Sequence, residues 1–288
     1  MRILVTGATG FTGKRVLPLL KGRGEIRVFA RTHSDTALAQ DLGYTICRGE
    51  LRDLDSLAAA MDGCEGLINI ASLGFGHAQG IVDTAQRMGI SRAVFLSTTA
   101  LFTQLPAPSK KVRGEAEAYV MGSALAWSIL RPTMIYGDRD DRNMVRLLKL
   151  LKRIPIIPVP GSGQGLMQPI HVEDLAQAIV AAFFCEAAHG KAYNLSGASP
   201  LSFDAIIDEA AHALKVRRWK MHLPIGPIRM MVRFYEKLSK RPRIKDEQIL
   251  RLLEDKAFDH SDARTDFGFQ PRTFQTGIGR EAELAGLV

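Results

Sequence analysis

The sequence predicts an α/β fold in which a parallel sheet is covered by helices on both faces. Three observations predict it. The chain opens with a short apolar run, Met1 to Thr6, then glycines at three-residue spacing (Gly7, Gly10, Gly13), then a helical stretch from Lys14 to Lys21. Short apolar runs and helical stretches go on alternating as far as Arg131. The runs are apolar throughout rather than at every second residue, which marks strands buried on both faces. Strands of that kind separated by helices pair in parallel.

The first turn carries the most information. Glycine permits a tight turn and lets the backbone come close to a ligand. A helix N-terminus adds unpaired N–H groups and the positive end of its dipole. Placed between a strand and a helix, the glycine turn reads as a cradle for a pyrophosphate. Ile26–Ala30 is the second strand and Tyr44–Cys47 a short third. Leu54–Met61 is helical, started by Asp53, and Gly66–Ala71 is the fourth strand. Gln79–Met88 is a helix, Ala93–Ser97 the fifth strand, Lys111–Gly122 a helix and Trp127–Arg131 the sixth strand. With a dinucleotide-type first turn, this order predicts a doubly wound Rossmann sheet. Ligands of such sheets gather at the C-terminal ends of the strands.

After Gly137 the pattern loosens. Asp138–Lys152 reads as a basic helix, Ile154–Gly165 as a Pro/Gly-rich segment and Pro169–Phe184 as a strand end with a long helix. Ala192–Leu195 is one more strand, and the chain beyond Ser202 reads as mainly helical. The expected organisation is a dinucleotide-binding domain over residues 1–137, completed by about 168–195. A smaller, mainly helical C-terminal lobe, 138–167 and 196–288, forms the substrate wall.

Composition fits a cytoplasmic enzyme. Of 288 residues, 46% are apolar and 24% charged, ordinary values for a globular chain. No stretch has the length of a membrane span, and the N-terminus lacks the pattern of a signal peptide. Cys47, Cys64 and Cys185 are widely spaced and read as reduced thiols. Neither they nor the seven histidines show metal-ligand spacing, so no metal is expected. The net charge of +8 is concentrated late, in Lys215–Lys220 and from Arg229 to Lys245. A phosphate-bearing substrate, a membrane surface and a solvated basic face all remain open. Nucleic acid is disfavoured, because no recognition motif accompanies the charge.

The residues after each strand carry a resemblance. VTGATGFTG at 5–13, GELRD at 49–53, NIAS at 69–72, FLSTTA at 95–100, ILRPTMIYG at 129–137 and QPIHVEDLAQAI at 168–179 resemble an extended or atypical short-chain dehydrogenase/reductase of the NAD(P)-dependent epimerase/dehydratase type. That resemblance implies a nicotinamide dinucleotide. It places Gly7, Thr9, Gly10, Phe11, Thr12 and Gly13 along the pyrophosphate, Glu50 and Leu51 near the adenine, and Ala71 and Ser72 beside a ribose. Ser97, Pro132, Thr133 and Met134 fall at the nicotinamide end. His171 and Asp174 fall where the two lobes are tied together. Arg31 follows the second strand, where a carboxylate would bind the ribose of NAD. An arginine there pairs instead with a 2′-phosphate, so NADP(H) is expected over NAD.

The resemblance fails at the catalytic pair. The family's YxxxK lies on the helix after the fifth strand, where lysine helps the phenol to exchange a proton. Counting back from Arg131–Pro132, Glu117 matches the family's glutamate, Arg113 stands in the lysine slot and Ser109 in the tyrosine slot. A second register places Lys111 in the lysine slot and Ala107 in the tyrosine slot. Thr99 matches the residue that holds the substrate oxygen. Thr99, Ser109, Arg113 and Lys111 are therefore the candidate catalytic residues. Lys110, Tyr136, a water on Thr99 or the substrate itself are further candidates for moving the proton. The resemblance implies an oxidoreductase or epimerase acting on a small hydroxyl or carbonyl compound, phosphorylated or nucleotide-linked, with Arg139, Arg142 and Arg146 as phosphate partners. It also implies a homodimer. A non-catalytic cofactor sensor, or a structural accessory subunit, is the alternative for a member that has lost its tyrosine.

Overall fold

The computed structural model describes residues 1–105, 108–141, 143–239, 246, 250 and 254–288. The first half alternates as follows: β1 (Arg2–Thr6), α1 (Gly13–Leu19), β2 (Glu25–Ala30), α2 (Ala37–Asp41), β3 (Thr45–Arg48), α3 (Leu54–Met61), β4 (Gly66–Asn69), α4 (Ala78–Arg87), β5 (Arg92–Leu96), α5 (Pro108–Met121) and β6 (Ala126–Pro132). Then come β7 (Ile135–Tyr136), α6 (Met144–Arg153), β8 (Ile156–Pro160), β9 (Leu166–Met167), β10 (Ile170–His171), α7 (Val172–Phe184) and β11 (Lys191–Leu195). The chain closes with β12 (Leu201–Ser202), α8 (Phe203–Ala213), β13 (Trp219–Leu223), α9 (Ile225–Leu238), α10 (Ser261–Phe267) and α11 (Phe274–Leu284).

Seven strands form one sheet in the order β11-β6-β5-β4-β1-β2-β3, every neighbouring pair parallel. The order reverses between β1 and β4, which opens a crevice at their C-terminal ends. Alternate residues of each strand enter different cores. Ile3, Val5, Val28, Ile68, Val94 and Leu130 pack with Val16 and Leu17 of α1 and Leu175 and Ile179 of α7. Leu4, Phe29, Leu67, Phe95 and Ile129 pack on the other face with Leu57 and Met61 of α3, Ile81 and Val82 of α4 and Val120 of α5. A fully buried Ile or Leu of this kind stabilises the fold by about 1.5–3 kcal/mol. Asp53 caps α3, its carboxylate accepting from the Ser56 N–H.

The structure departs from the sequence expectations at the start of α6, at β8 with β13, and at the end of β4. The helix expected from Asp138 begins at Met144. Gly137 turns the chain at φ +120°, and Asp141 then accepts the N–H groups of Asn143, Met144 and Val145, starting the helix there. The Pro/Gly-rich segment contains β8, which pairs in parallel with β13 inside the stretch expected to be mainly helical. Prolines are tolerated in β8 because it pairs on one side only. β4 ends at Asn69, two residues before the expected end, where the chain turns across the end of β1. A third core gathers Tyr136, Leu148, Leu151, Ile157, Val159, Ile206, Ile207, Ala210 and Ile278. Among the described residues no helix is long and apolar enough to cross a membrane.

Candidate functional site

The crevice between β1 and β4 is a cleft of about 720 Å³. Its floor follows from the glycine turn. Gly7 adopts φ +69°, and a Cβ there would lie 2.6 Å from the Ala71 backbone nitrogen. A Cβ on Gly13 would collide with the Gly7 carbonyl and with Ala8. The turn is closed by the Gly10 N–H, which donates to the Gly7 carbonyl at 3.1 Å. The ends of β1 and β4 are held together by side chains. The Thr6 hydroxyl donates to Asn69 Oδ1 at 2.6 Å, and Asn69 Nδ2 donates to the Ala71 carbonyl at 2.9 Å. Asn69 is thus a positioning residue that the motif reading passed over, although it begins the NIAS motif.

Gly7, Thr9, Gly10, Arg31, Glu50, Leu51, Ala71 and Ser72 all line this cleft. Phe11 lines a smaller cavity on the other side of the turn, with Thr9, Gly10 and Lys14. Thr12 and Gly13 are buried in the turn and line neither. Arg31 is exposed on the rim with Ser34 and Arg52, and no acidic side chain pairs with it among the described residues. Its loop is tied down by Arg48, which donates to the carbonyls of Arg31 and Ser34 and to the Thr36 hydroxyl. Glu50 is paired with Arg52 at 2.7 Å. A narrow cradle that a Cβ would fill fits a dinucleotide.

A second cavity, of about 460 Å³, lies beyond β5 and β6. Thr98, Thr99, Thr133 and Met134 line it from the sheet side, and Phe102, Thr103 and Gln104 from the loop after β5. Met167, Glu254, Asp255, Lys256 and Phe258 close it from distant parts of the chain. Thr99 is buried and its hydroxyl donates to the Pro132 carbonyl at 3.3 Å, which leaves the oxygen able to accept. Glu254 accepts from the Thr103 hydroxyl and the Gln104 N–H, both at 2.7 Å. Desolvation pushes its pKa up, but these hydrogen bonds prevail and hold the carboxyl below the usual value. No motif announces residues 254–258, which join the cavity through contacts some 150 residues apart in sequence.

The remaining candidates are placed as follows. Arg113 donates to the Ser109 hydroxyl at 3.1 Å and lies over the turn after β4, its Nε 3.0 Å from where a Cβ on Gly74 would stand. The slots of the missing pair therefore hold a hydrogen-bonded Arg–Ser couple on the Ser72 side. Ser97 does not reach the cofactor cleft: its hydroxyl donates to Glu117, which also accepts a bidentate pair from Arg131. Pro132 contributes its carbonyl to Thr99. Lys110 Nζ donates to the Thr103 carbonyl at 2.7 Å, behind the second cavity.

Two expectations are corrected. Lys111 is 83% exposed, pairs with Glu115 one turn along α5 and lines no cavity described here, so it has no route to a reacting group. Tyr136 is 1% exposed in the third core, edge-on to His171 and beside Phe274 and Gly277. Burial drives its phenol far above the usual value, and it carries no proton to either cavity. Arg139 and Arg146 are exposed and line neither cavity; Arg142 and Ala107 lie outside the described residues. Asp174 accepts from the Arg272 N–H and side chain, tying α7 to the segment before α11. Burial lowers the His171 pKa to about 4. Among the described residues no cluster could hold a metal ion.

A family model described as NAD(P)H-binding matches residues 7–186. A 3β-hydroxysteroid dehydrogenase/Δ5→4-isomerase of Mycobacterium tuberculosis is 23% identical over 94% of this chain and 86% of its own. Subunit 9 of the NADH dehydrogenase (ubiquinone) 1 alpha subcomplex of Arabidopsis thaliana is 28% identical over 67% of this chain and 53% of its own. The solved UDP-glucose 4-epimerase of Thermus thermophilus, in complex with NAD, superimposes with a TM-score of 0.75 at 20% identity, over 99% of each chain. The chain therefore shares its fold, a Rossmann sheet, with that epimerase.

Proposed function

The chain belongs to the NAD(P)H-binding family, and on that premise we propose that it is an NADP(H)-dependent oxidoreductase acting on a hydroxyl or carbonyl group of a small molecule. The observation that carries this reading is a pair of cavities at the C-terminal ends of the strands, one past β1, β2 and β4 and one past β5 and β6. The cleft over Gly7, Arg31 and Ala71 suits a dinucleotide, and the cavity over Thr99 and Met134 would take the substrate. Gly7, Gly10 and Gly13 would admit the pyrophosphate, and Arg31 would pair with the 2′-phosphate. When bound, the cofactor supplies or accepts a hydride.

This chain's residues would do the rest. The Thr99 hydroxyl, held by the Pro132 carbonyl, accepts a hydrogen bond from a substrate alcohol and fixes its oxygen. The Arg113–Ser109 couple, beside the turn after β4, would exchange no proton, because guanidinium does not deprotonate. Proton exchange falls to the titratable groups that line the cavity, Glu254, Asp255 and Lys256. The apolar wall of Phe102, Met134, Met167 and Phe258 favours a substrate with an apolar body over one presenting a diphosphate. The steroid dehydrogenase likeness points the same way.

The test is a screen of apolar ketones and alcohols, sugar nucleotides included, with NADPH and NADP⁺, following the nicotinamide absorbance. Turnover on any of them that Thr99→Val removes supports the proposal. Tight NADPH binding without turnover on any, combined with copurification of other chains, would favour the structural-subunit reading.

A further inference from the structure

We propose that helix α9 and the adjoining edge of β13 form a docking face for an anionic lipid bilayer. No described side chain of α9 is buried. Met230 (70% exposed), Met231 (65%), Phe234 (65%) and Leu238 (70%) stand at i, i+1, i+4 and i+8, which gathers them on one stripe. Ile228 and Val232 occupy the other side and are half-buried. β13 precedes α9 directly. Trp219, 78% exposed, and Met221 share one face of that strand, and the exposed Ile156 of β8 is paired with Trp219. Seven large apolar side chains in water within twenty residues, Tyr235 included, are a liability unless something covers them.

Charge identifies the cover. Residues 215–246 contain eleven Lys and Arg against Glu236 and Asp246, so this segment alone holds more than the chain's whole excess of +8. Arg229 and Arg233 both pair with Asp246, on the flank of the apolar stripe. Six of the cations, including Lys240, Arg241, Arg243 and Lys245, follow Met230 in sequence; these four lie outside the described residues. An apolar stripe beside a cationic segment is the pattern of a helix that lies in a headgroup layer, its apolar side chains in the acyl boundary and its cations on lipid phosphates. A second copy of the chain would bring like-charged faces together. A nucleic acid would meet the cations but leave Phe234, Leu238 and Trp219 in water. Fourteen residues of α9 are too few to span a bilayer, so the helix lies on the surface.

The experiment is flotation of the full chain with vesicles of phosphatidylcholine alone or phosphatidylcholine with phosphatidylglycerol, at low and high salt. The expected result is recovery with the anionic vesicles, about tenfold weaker on neutral vesicles or at high salt. The double variant M230S/F234S loses the recovery while its melting temperature stays the same, because both side chains are exposed. Three results would overturn the proposal: no recovery with anionic vesicles, equal recovery of the double variant, or self-association in free solution that the double variant abolishes without any vesicle binding. The third would make the face an interface between copies of the chain.

Discussion

The cleft over β1–β4 and the cavity beyond β5–β6 are built by different means. The cleft is made of backbone. Gly7 and Gly13 bring main chain against main chain, and Thr6 and Asn69 fasten two strand ends. The cavity is made of side chains, several delivered from segments remote in sequence, such as Glu254 and Phe258. Backbone shape depends on a few glycines, so it survives sequence change at nearly every other position. Side-chain chemistry changes with a single substitution. A chain can therefore keep a dinucleotide cradle whatever residues, here Ser109 and Arg113, stand on the helix after β5.

The largest expected effect breaks the cleft. Gly7→Val places a branched side chain at φ +69° and against Ala71, and should cost roughly 3 kcal/mol of stability and abolish NADPH binding. Calorimetry and a fluorescence titration read the two effects. A Gly7→Val protein that still binds NADPH would mean that the cradle is not where the nucleotide sits.

The next effect isolates the cavity. Thr99→Val keeps the shape and removes the hydroxyl, so kcat/KM should fall about a hundredfold with affinity for NADPH unchanged. A parallel loss of NADPH affinity would erase the distinction between the two regions.

A third region sharpens the comparison because it touches neither. Glu281 is fully buried beside Asp141, and burial raises its pKa to about 9 from 4.5. The folded state holds this proton after the unfolded chain has released it, so its contribution to stability falls as pH rises from 4.5 to about 9. Glu281→Gln should raise stability at neutral pH by up to about 3 kcal/mol and leave NADPH binding unchanged. His171 has the opposite sign. Its depressed pKa makes stability fall as pH drops from 6.5 to about 4. Melting curves across pH would show both slopes, and a Glu281→Gln variant no more stable than the parent would contradict the first. The smallest effect belongs to Lys111→Ala, which should change activity and stability by less than about 0.5 kcal/mol. A large loss of turnover would restore Lys111 to the mechanism.

The same contrast explains what the sequence made legible. Strands buried on both faces are written as apolar runs, so β1, β2, β4, β5, β6 and the sheet class were readable, while β3, half-exposed at the sheet edge, was read from its place in the alternation. The glycine triplet marked the cradle because its geometry needs glycine at those positions. β8 and β13 were hidden, because prolines at 155, 158 and 160 resemble a loop and only a two-stranded pairing rescues them. The start of α6 was hidden because a carboxylate, Asp141, sets it within a run of charges that reads as helix. The cavity was legible through Thr99, Thr133 and Met134. Residues 254–258 carry no spacing signal, and Tyr136 looked available because its burial depends on Phe274 and Gly277, far along the chain.

The proposed function stands or falls on whether the cleft over Gly7 and Arg31 binds NADP(H). The most direct measurement is a side-by-side fluorescence titration with NADPH and NADH on the parent protein and on Arg31→Asp. The account predicts that the parent prefers NADPH and that Arg31→Asp weakens NADPH at least about tenfold while NADH changes little. Equal losses for both nucleotides, or no preference in the parent, would contradict it.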